Sequence, residues 1–175
     1  SHEDLRKVRL KTGYNVLTDK TITGRNNSDD NGHGTLITGV IAATQNNKMG
    51  ISGAAPGVSI MPVKGLDSSG SGSSSEISEA IIWAADHGAD VINLSLGGVG
   101  FAHDKTLANS ISYAFDKNVV VIAAAGNDVA TTGGNLDKDA VFPICNDNGK
   151  NMIIGVTATD VNDLKPSFAN YGKAC

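Results

Sequence analysis

Apolar positions along the chain change repeat several times, and each change marks an element. Residues 34–44 (GTLITGVIAAT) are apolar and small, which predicts a buried helix opening just after His33. Residues 58–63 (VSIMPV) form a short apolar run interrupted by Pro62, a strand with an irregular end. Residues 68–75 (SSGSGSSS) are low in complexity and read as a loop free to flex, or simply as a solvated linker. Over residues 76–88 the spacing of Ile77, Ala80, Ile81 and Ala84 puts one apolar stripe on a helix. Glu76 and Glu79 near its start and His87 near its end suit the helix dipole, and Gly88 supplies a stop. Residues 90–96 read as a strand closed by Gly97-Gly98, and residues 105–117 as a second amphipathic helix. The continuous run 119–125 (VVVIAAA) predicts a strand buried on both faces, and residues 152–156 another strand.

Strands alternating with helices imply an α/β fold, a mostly parallel sheet covered by helices and joined by right-handed crossovers. Ligands in such sheets bind at the carboxyl ends of strands, which singles out the loops after Leu96 and Ala125. No repeat and no composition shift divides the chain, so residues 1–175 read as one unit. With 40% hydrophobic and 18% charged residues the composition is globular. The net charge of −4, without a basic stripe, argues against nucleic acid or an anionic membrane as partner. No apolar run approaches the span of a bilayer, so no membrane insertion is expected. The 21 glycines suit tight turns and close backbone approaches at strand ends. Cys145 and Cys175 can form one disulfide or stand as two thiols.

Three segments carry candidate chemistry. In Asp29-Asp30-Asn31-Gly32-His33-Gly34-Thr35, a histidine flanked by glycines at a helix start has the ring access a general base needs. A lone loop histidine fits a structural role as well. Asn93-Leu94-Ser95-Leu96-Gly97-Gly98 and Ala123-Ala124-Ala125-Gly126-Asn127 are apolar strands running into glycine. The Asn127 amide is able to donate to a developing oxyanion, while Gly126-Asn127 equally describes a plain turn.

Taken with Ala54-Ala55-Pro56, Val63-Lys64 and Ser167-Phe168-Ala169-Asn170-Tyr171-Gly172, these motifs follow the order and rough spacing of the subtilisin-like serine protease (subtilase) family, which the chain resembles over essentially its whole length. The resemblance implies a three-layer subtilisin-like fold, here without its first catalytic strand and its serine-bearing helix, so that residues 1–175 form the central part of one peptidase domain. It implies a serine endopeptidase acting on peptides or proteins. His33 would be the triad histidine and Asn127 the oxyanion-hole residue. Gly70, Ser71 and Gly72 would form one main-chain edge of the substrate groove and Ser95, Leu96 and Gly97 the other. Ala124, Ala125 and Gly126 would line the pocket for the side chain before the cleaved bond. The family's histidine-valine pair after Gly-Thr is Leu36-Ile37 here, a packing change. The triad aspartate and serine are expected outside these residues, since no Gly-Thr-Ser occurs among them; the 175 residues alone would then be inactive. A peptide-binding domain without catalysis is the alternative.

The resemblance further implies a structural calcium site, with side-chain oxygens from Asp4 and Asn47 and carbonyls from Thr44, Met49 and Ile51. The extra Gln45 departs from the commonest form of that loop, and the residues alone are as compatible with a polar turn holding no ion. In the aqualysin and proteinase K-like branch the positions of Cys145 and Cys175 resemble a disulfide pair, which would mean an exported, extracellular protein. Oligomeric state is not legible in the sequence.

Overall fold

A computed structural model describes residues 2–25, 29–100, 104–128, 133–147 and 149–173. Their contacts gather into two compact units, Ser1–Ala84 and Ala85–Cys175, and the boundary falls inside a helix.

The first unit contains β1 (Arg9–Leu10), β2 (Gly13–Asn15), β3 (Lys20–Ile22), α1 (His33–Ala42), β4 (Ser59–Ile60) and β5 (Val63–Lys64), and most of α2 (Ser74–Asp86). β1 pairs parallel with β4; β2 pairs antiparallel with β3 and parallel with β5. The run expected as one irregular strand is therefore two short strands with different partners. Between them Pro62 lacks an N–H, and its carbonyl instead accepts from the Tyr14 N–H at 3.0 Å. The serine-rich stretch is not a loose linker. Ser73 and Glu76 form a reciprocal capping box: Glu76 Oε2 accepts from the Ser73 N–H at 2.7 Å, and Ser73 Oγ accepts from the Glu76 N–H at 3.2 Å. Ser74 and Ser75 already belong to the helix that this cap starts. Ile77, Ile81 and Ala84 are buried along one stripe of α2, as their spacing predicts, and Trp83 stacks on Tyr14 with ring centroids 5.2 Å apart.

Helix α1 corrects one expectation. Of its residues only Ala42 is buried, while Leu36 and Val40 are 71% and 61% exposed. Apolar composition selected a helix, but burial depends on what packs over it.

The second unit is built on β6 (Val91–Leu94), α3 (Lys105–Asp116), β7 (Val120–Ala124) and β8 (Ile153–Val156), with all three strands parallel in the order β6-β7-β8. Asp104 caps α3 by accepting from the Thr106 and Leu107 N–H groups. Leu107, Ile111 and Ala114 are buried, and α3 packs on β7, where Val121 and Ala123 are buried. Val120, which shares a face with Ile122 opposite to Val121 and Ala123, is 42% exposed, and Val91, Ile154 and Val156 are exposed as well. Among the described residues of this unit one face of the sheet is buried and the other is partly exposed, where burial on both faces was expected. The unbroken apolar run hid a period-2 alternation that side-chain type alone does not reveal. Among the described residues no helix is long and apolar enough to cross a membrane.

Candidate functional site

In the first unit His33 is the first residue of α1 and is exposed. The preceding Gly32 holds φ +97, a left-handed conformation that glycine adopts without a Cβ penalty. The helix start has no side-chain cap from Gly32. Asp29 supplies it instead: one carboxylate oxygen accepts from the Gly32 N–H at 2.8 Å and the Asn31 N–H at 3.2 Å, the other from the Thr35 N–H at 2.7 Å. Asn31 Oδ1 accepts from the His33 N–H at 3.3 Å. Partial burial alone would raise the Asp29 pKa; the hydrogen bonds from Gly32, Thr35 and Asn31 outweigh it and hold the carboxyl at about 2. Asp30 is ion-paired with Lys64 at 2.6 Å. Both aspartates are tied down, Asp29 by backbone N–H groups and Asp30 by Lys64. An aspartate four residues before a helix-opening histidine was the available signal for this cap.

A carboxyl whose folded pKa is depressed contributes stability that is present above its ordinary value of 3.8 and lost as pH falls from there toward about 2. Asp29→Asn in the full-length protein is expected to flatten the acid limb of melting temperature against pH across that window. Identical acid limbs for the two proteins would refute the assignment.

The loop carrying Gly70, Ser71 and Gly72 belongs to the same unit. Asp67 Oδ1 accepts from the Ser69 N–H at 2.9 Å, the Ser69 hydroxyl at 2.6 Å and the Ser71 N–H at 3.0 Å, and the Asp67 N–H donates back to the Ser71 carbonyl at 2.8 Å. Ser71 therefore spends its main-chain groups inside the loop. Asn31 Nδ2 donates to the Ser68 carbonyl at 3.1 Å, which ties this loop to the histidine turn.

The same unit holds the candidate cation loop. Asp4 is buried, and its carboxylate accepts from Asn47 Nδ2 at 2.6 Å and the Ile51 N–H at 2.9 Å; these bonds, the Ile51 one foremost, keep its pKa below the ordinary value. The Thr44 N–H donates to the Asp4 carbonyl at 3.1 Å, and Asn47 Oδ1 accepts from the Met49 N–H at 3.1 Å. Gly50 holds φ +58, and a Cβ there would lie 2.1 Å from Asp4 Oδ2, so only glycine lets the loop close over the carboxylate. Residues 46–52 line an open cavity of about 410 Å³. In this arrangement the Asp4 carboxylate is met by the Asn47 amide nitrogen and the Ile51 N–H, while calcium would take carboxylate, amide and carbonyl oxygens.

In the second unit Leu94 is in register with Ala123, so residues 95–97 and 124–126 leave the same end of the sheet. Ser95 Oγ accepts from Asn93 Nδ2 at 2.9 Å. Gly98 and Phe142 exchange two backbone bonds, each 2.9 Å. A Cβ on Gly97 would meet Val141 Cγ1 at 2.9 Å, and one on Gly126 would meet the same atom at 3.7 Å, so Val141 sits between the two strand ends. Ala125 is buried, with its N–H on the Val156 carbonyl at 2.8 Å. Gly126 holds φ +85, which turns the chain so that Asn127 follows with an exposed side chain. The turn is fastened by a segment the sequence reading used only as a motif: Asn127 bridges antiparallel to Ala169, and the buried Asn170 bonds to the Ala125 and Gly126 carbonyls. Half-buried Cys145 lies in a 3-10 turn, Ile144–Asp147; its proposed partner Cys175 lies outside the described residues.

These local geometries can be set beside known proteins. The model of the Subtilase family matches residues 1–175. A thermophilic serine proteinase of Bacillus sp. (strain AK1) is 46% identical over 144 residues, covering 82% of this chain and 33% of that protein. Thermitase of Thermoactinomyces vulgaris is 44% identical over 142 residues, covering 81% of this chain and 46% of the relative. The crystal structure of a cold adapted subtilisin-like serine proteinase superposes with a TM-score of 0.77 at 28% identity, covering 99% of this chain and 56% of that one. The chain thus spans between a third and a half of the length of these two curated relatives. A family match over every residue, two relatives above 40% identity and a shared fold lead to one conclusion: this chain belongs to the subtilase family.

Proposed function

We propose that the parent protein is a serine endopeptidase in which His33 is the general base and Asn127 an oxyanion donor. The observation that carries this reading is an exposed histidine on the first turn of a helix whose start is clamped by Asp29, as a base that must meet a hydroxyl requires. The imidazole would take the proton of a serine hydroxyl as that oxygen attacks the peptide carbonyl, then return it to the leaving amine. The serine and the orienting aspartate would come from other parts of the parent, with residues 1–175 the central part of one peptidase domain and inactive by themselves. Substrate would lie as an added strand, with Gly72 and residues 95–97 offering main-chain groups and the small residues 124–126 leaving room for a large apolar side chain.

A fluorophosphonate probe tests the reading. The full-length protein should be labelled and His33→Ala should not. Silence of the full-length protein would favour the peptide-binding alternative.

Calcium is the cofactor this reading includes. Asp4 and Asn47 would supply side-chain oxygens and Thr44, Met49 and Ile51 carbonyls, and the ion would fix the loop of residues 46–52 for stability, with no part in bond cleavage. Calcium is expected to raise the melting temperature of the full-length protein and a chelator to lower it, with Asp4→Asn abolishing the difference. Equal melting in calcium and chelator would exclude the site. A disulfide between Cys145 and Cys175, as the family resemblance implies, would belong to an exported protein.

A further inference from the structure

Asn127 has an exposed side chain, so the direction of its amide depends on the backbone that carries it. The two carbonyls just before it are held by one residue. Asn170, only 4% exposed, donates from Nδ2 to the Ala125 carbonyl at 3.0 Å and from its own N–H to the Gly126 carbonyl at 3.1 Å. Two consecutive carbonyls immediately before Asn127 thus share one partner. Asn170 is itself fixed from two further sides. Its Oδ1 accepts from the Gly134 N–H at 2.7 Å, and its carbonyl accepts from Thr157 Oγ1 at 2.7 Å. The flanking bonds continue the same staple, with the Asp128 N–H on the Phe168 carbonyl at 2.8 Å and the Tyr171 N–H on the Gly134 carbonyl at 2.9 Å. Gly126 must turn at positive φ, and a Cβ there would lie 3.1 Å from Asn170 Nδ2, so turn and staple are fitted to each other.

From this arrangement, and resting on the oxyanion role proposed for Asn127, we infer that Asn170 is a positioning residue for the oxyanion donor. A buried amide is suited to this because it offers a donor and an acceptor in one plane, and both are used here. Asparagine is needed at the position, not merely a polar group of that size. An aspartate would keep the acceptor for Gly134 but lose the donor, and would set carboxylate oxygen against the Ala125 carbonyl.

The test is a double-mutant cycle in the full-length enzyme on a peptide substrate, with active sites titrated so that only folded enzyme is counted. Asn170→Asp is expected to lower kcat about tenfold, the size of one lost hydrogen bond, with KM within about twofold. In an Asn127→Ala background the same change should cost less than about twofold, because the residue it positions is gone. Thr157→Val, a milder disturbance of the same asparagine, should lower kcat in the same direction by about two- to threefold. Hydrogen exchange at the Asp128 amide should quicken in Asn170→Asp. A tenfold loss that persists in the Asn127→Ala background, or unchanged kcat in Asn170→Asp, would overturn the inference while leaving the protease reading intact. A full-length protein that neither hydrolyses peptide nor reacts with a fluorophosphonate would overturn both.

Discussion

His33→Ala in the full-length protein is expected to lower kcat by about 10⁶-fold, the loss known for removal of the base in subtilisin and carried over from that relative. The reason is specific to the reaction. Under the role proposed for His33, the serine hydroxyl would keep its proton at neutral pH without the imidazole, and the leaving amine would have no acid. The fold should be largely kept, because Asp29 holds the start of α1 through main-chain N–H groups that the substitution leaves in place. Melting temperature and circular dichroism should therefore match the wild type, and KM should move by no more than a few-fold. A variant keeping more than about 1% of wild-type kcat would show that another group takes the proton.

Asn127→Ala should lower kcat by about 10²–10³-fold, again the scale measured when an oxyanion-hole donor is removed from a subtilisin. Here the split between constants is the test. A donor aimed at the oxyanion strengthens its bond only as negative charge develops, so kcat falls and KM stays. The exposed Asn127 side chain contributes nothing to the buried core, and the antiparallel bridge to Ala169 is made by backbone, so stability should change little. If KM rose while kcat held, Asn127 would be a ground-state contact and its assignment to the oxyanion would fail. Together the two variants separate the proton-transfer step from charge stabilisation. Combined in one chain, their losses should fall short of multiplying, since both act in the same step.

Local chemistry made much of the fold legible. The stripe Ile77, Ile81, Ala84 and the stripe Leu107, Ile111, Ala114 are periodic in sequence and buried in the structure, because a helix repeats every 3.6 residues whatever surrounds it. Parallel strands β6, β7 and β8 follow from apolar runs separated by helix-length connections. The candidate base and oxyanion residues stood out because glycine next to a polar side chain marks a turn, and Gly32 and Gly126 both take positive φ. The strands β1 to β3 were missed because they are two or three residues long, too short to show a period. The serine-rich stretch misled because composition suggested flexibility, whereas Ser73 and Glu76 sit at capping-box spacing and Asp67 binds three donors of its own loop.

By itself, then, the sequence determined the longer helices and strands, the glycine turns beside the candidate residues, and which family the chain belongs to, since each rests on residues within a few positions of one another or on the order of motifs. Only the tertiary structure decided which faces are covered and which side chain serves which backbone. That Leu36 and Val40 lie exposed, that Val141 sits between two strand ends, and that Asn170 holds the carbonyls 44 and 45 residues before it are such decisions. Burial and hydrogen-bond satisfaction are properties of neighbours in space, and no local pattern records which distant residue will be the neighbour.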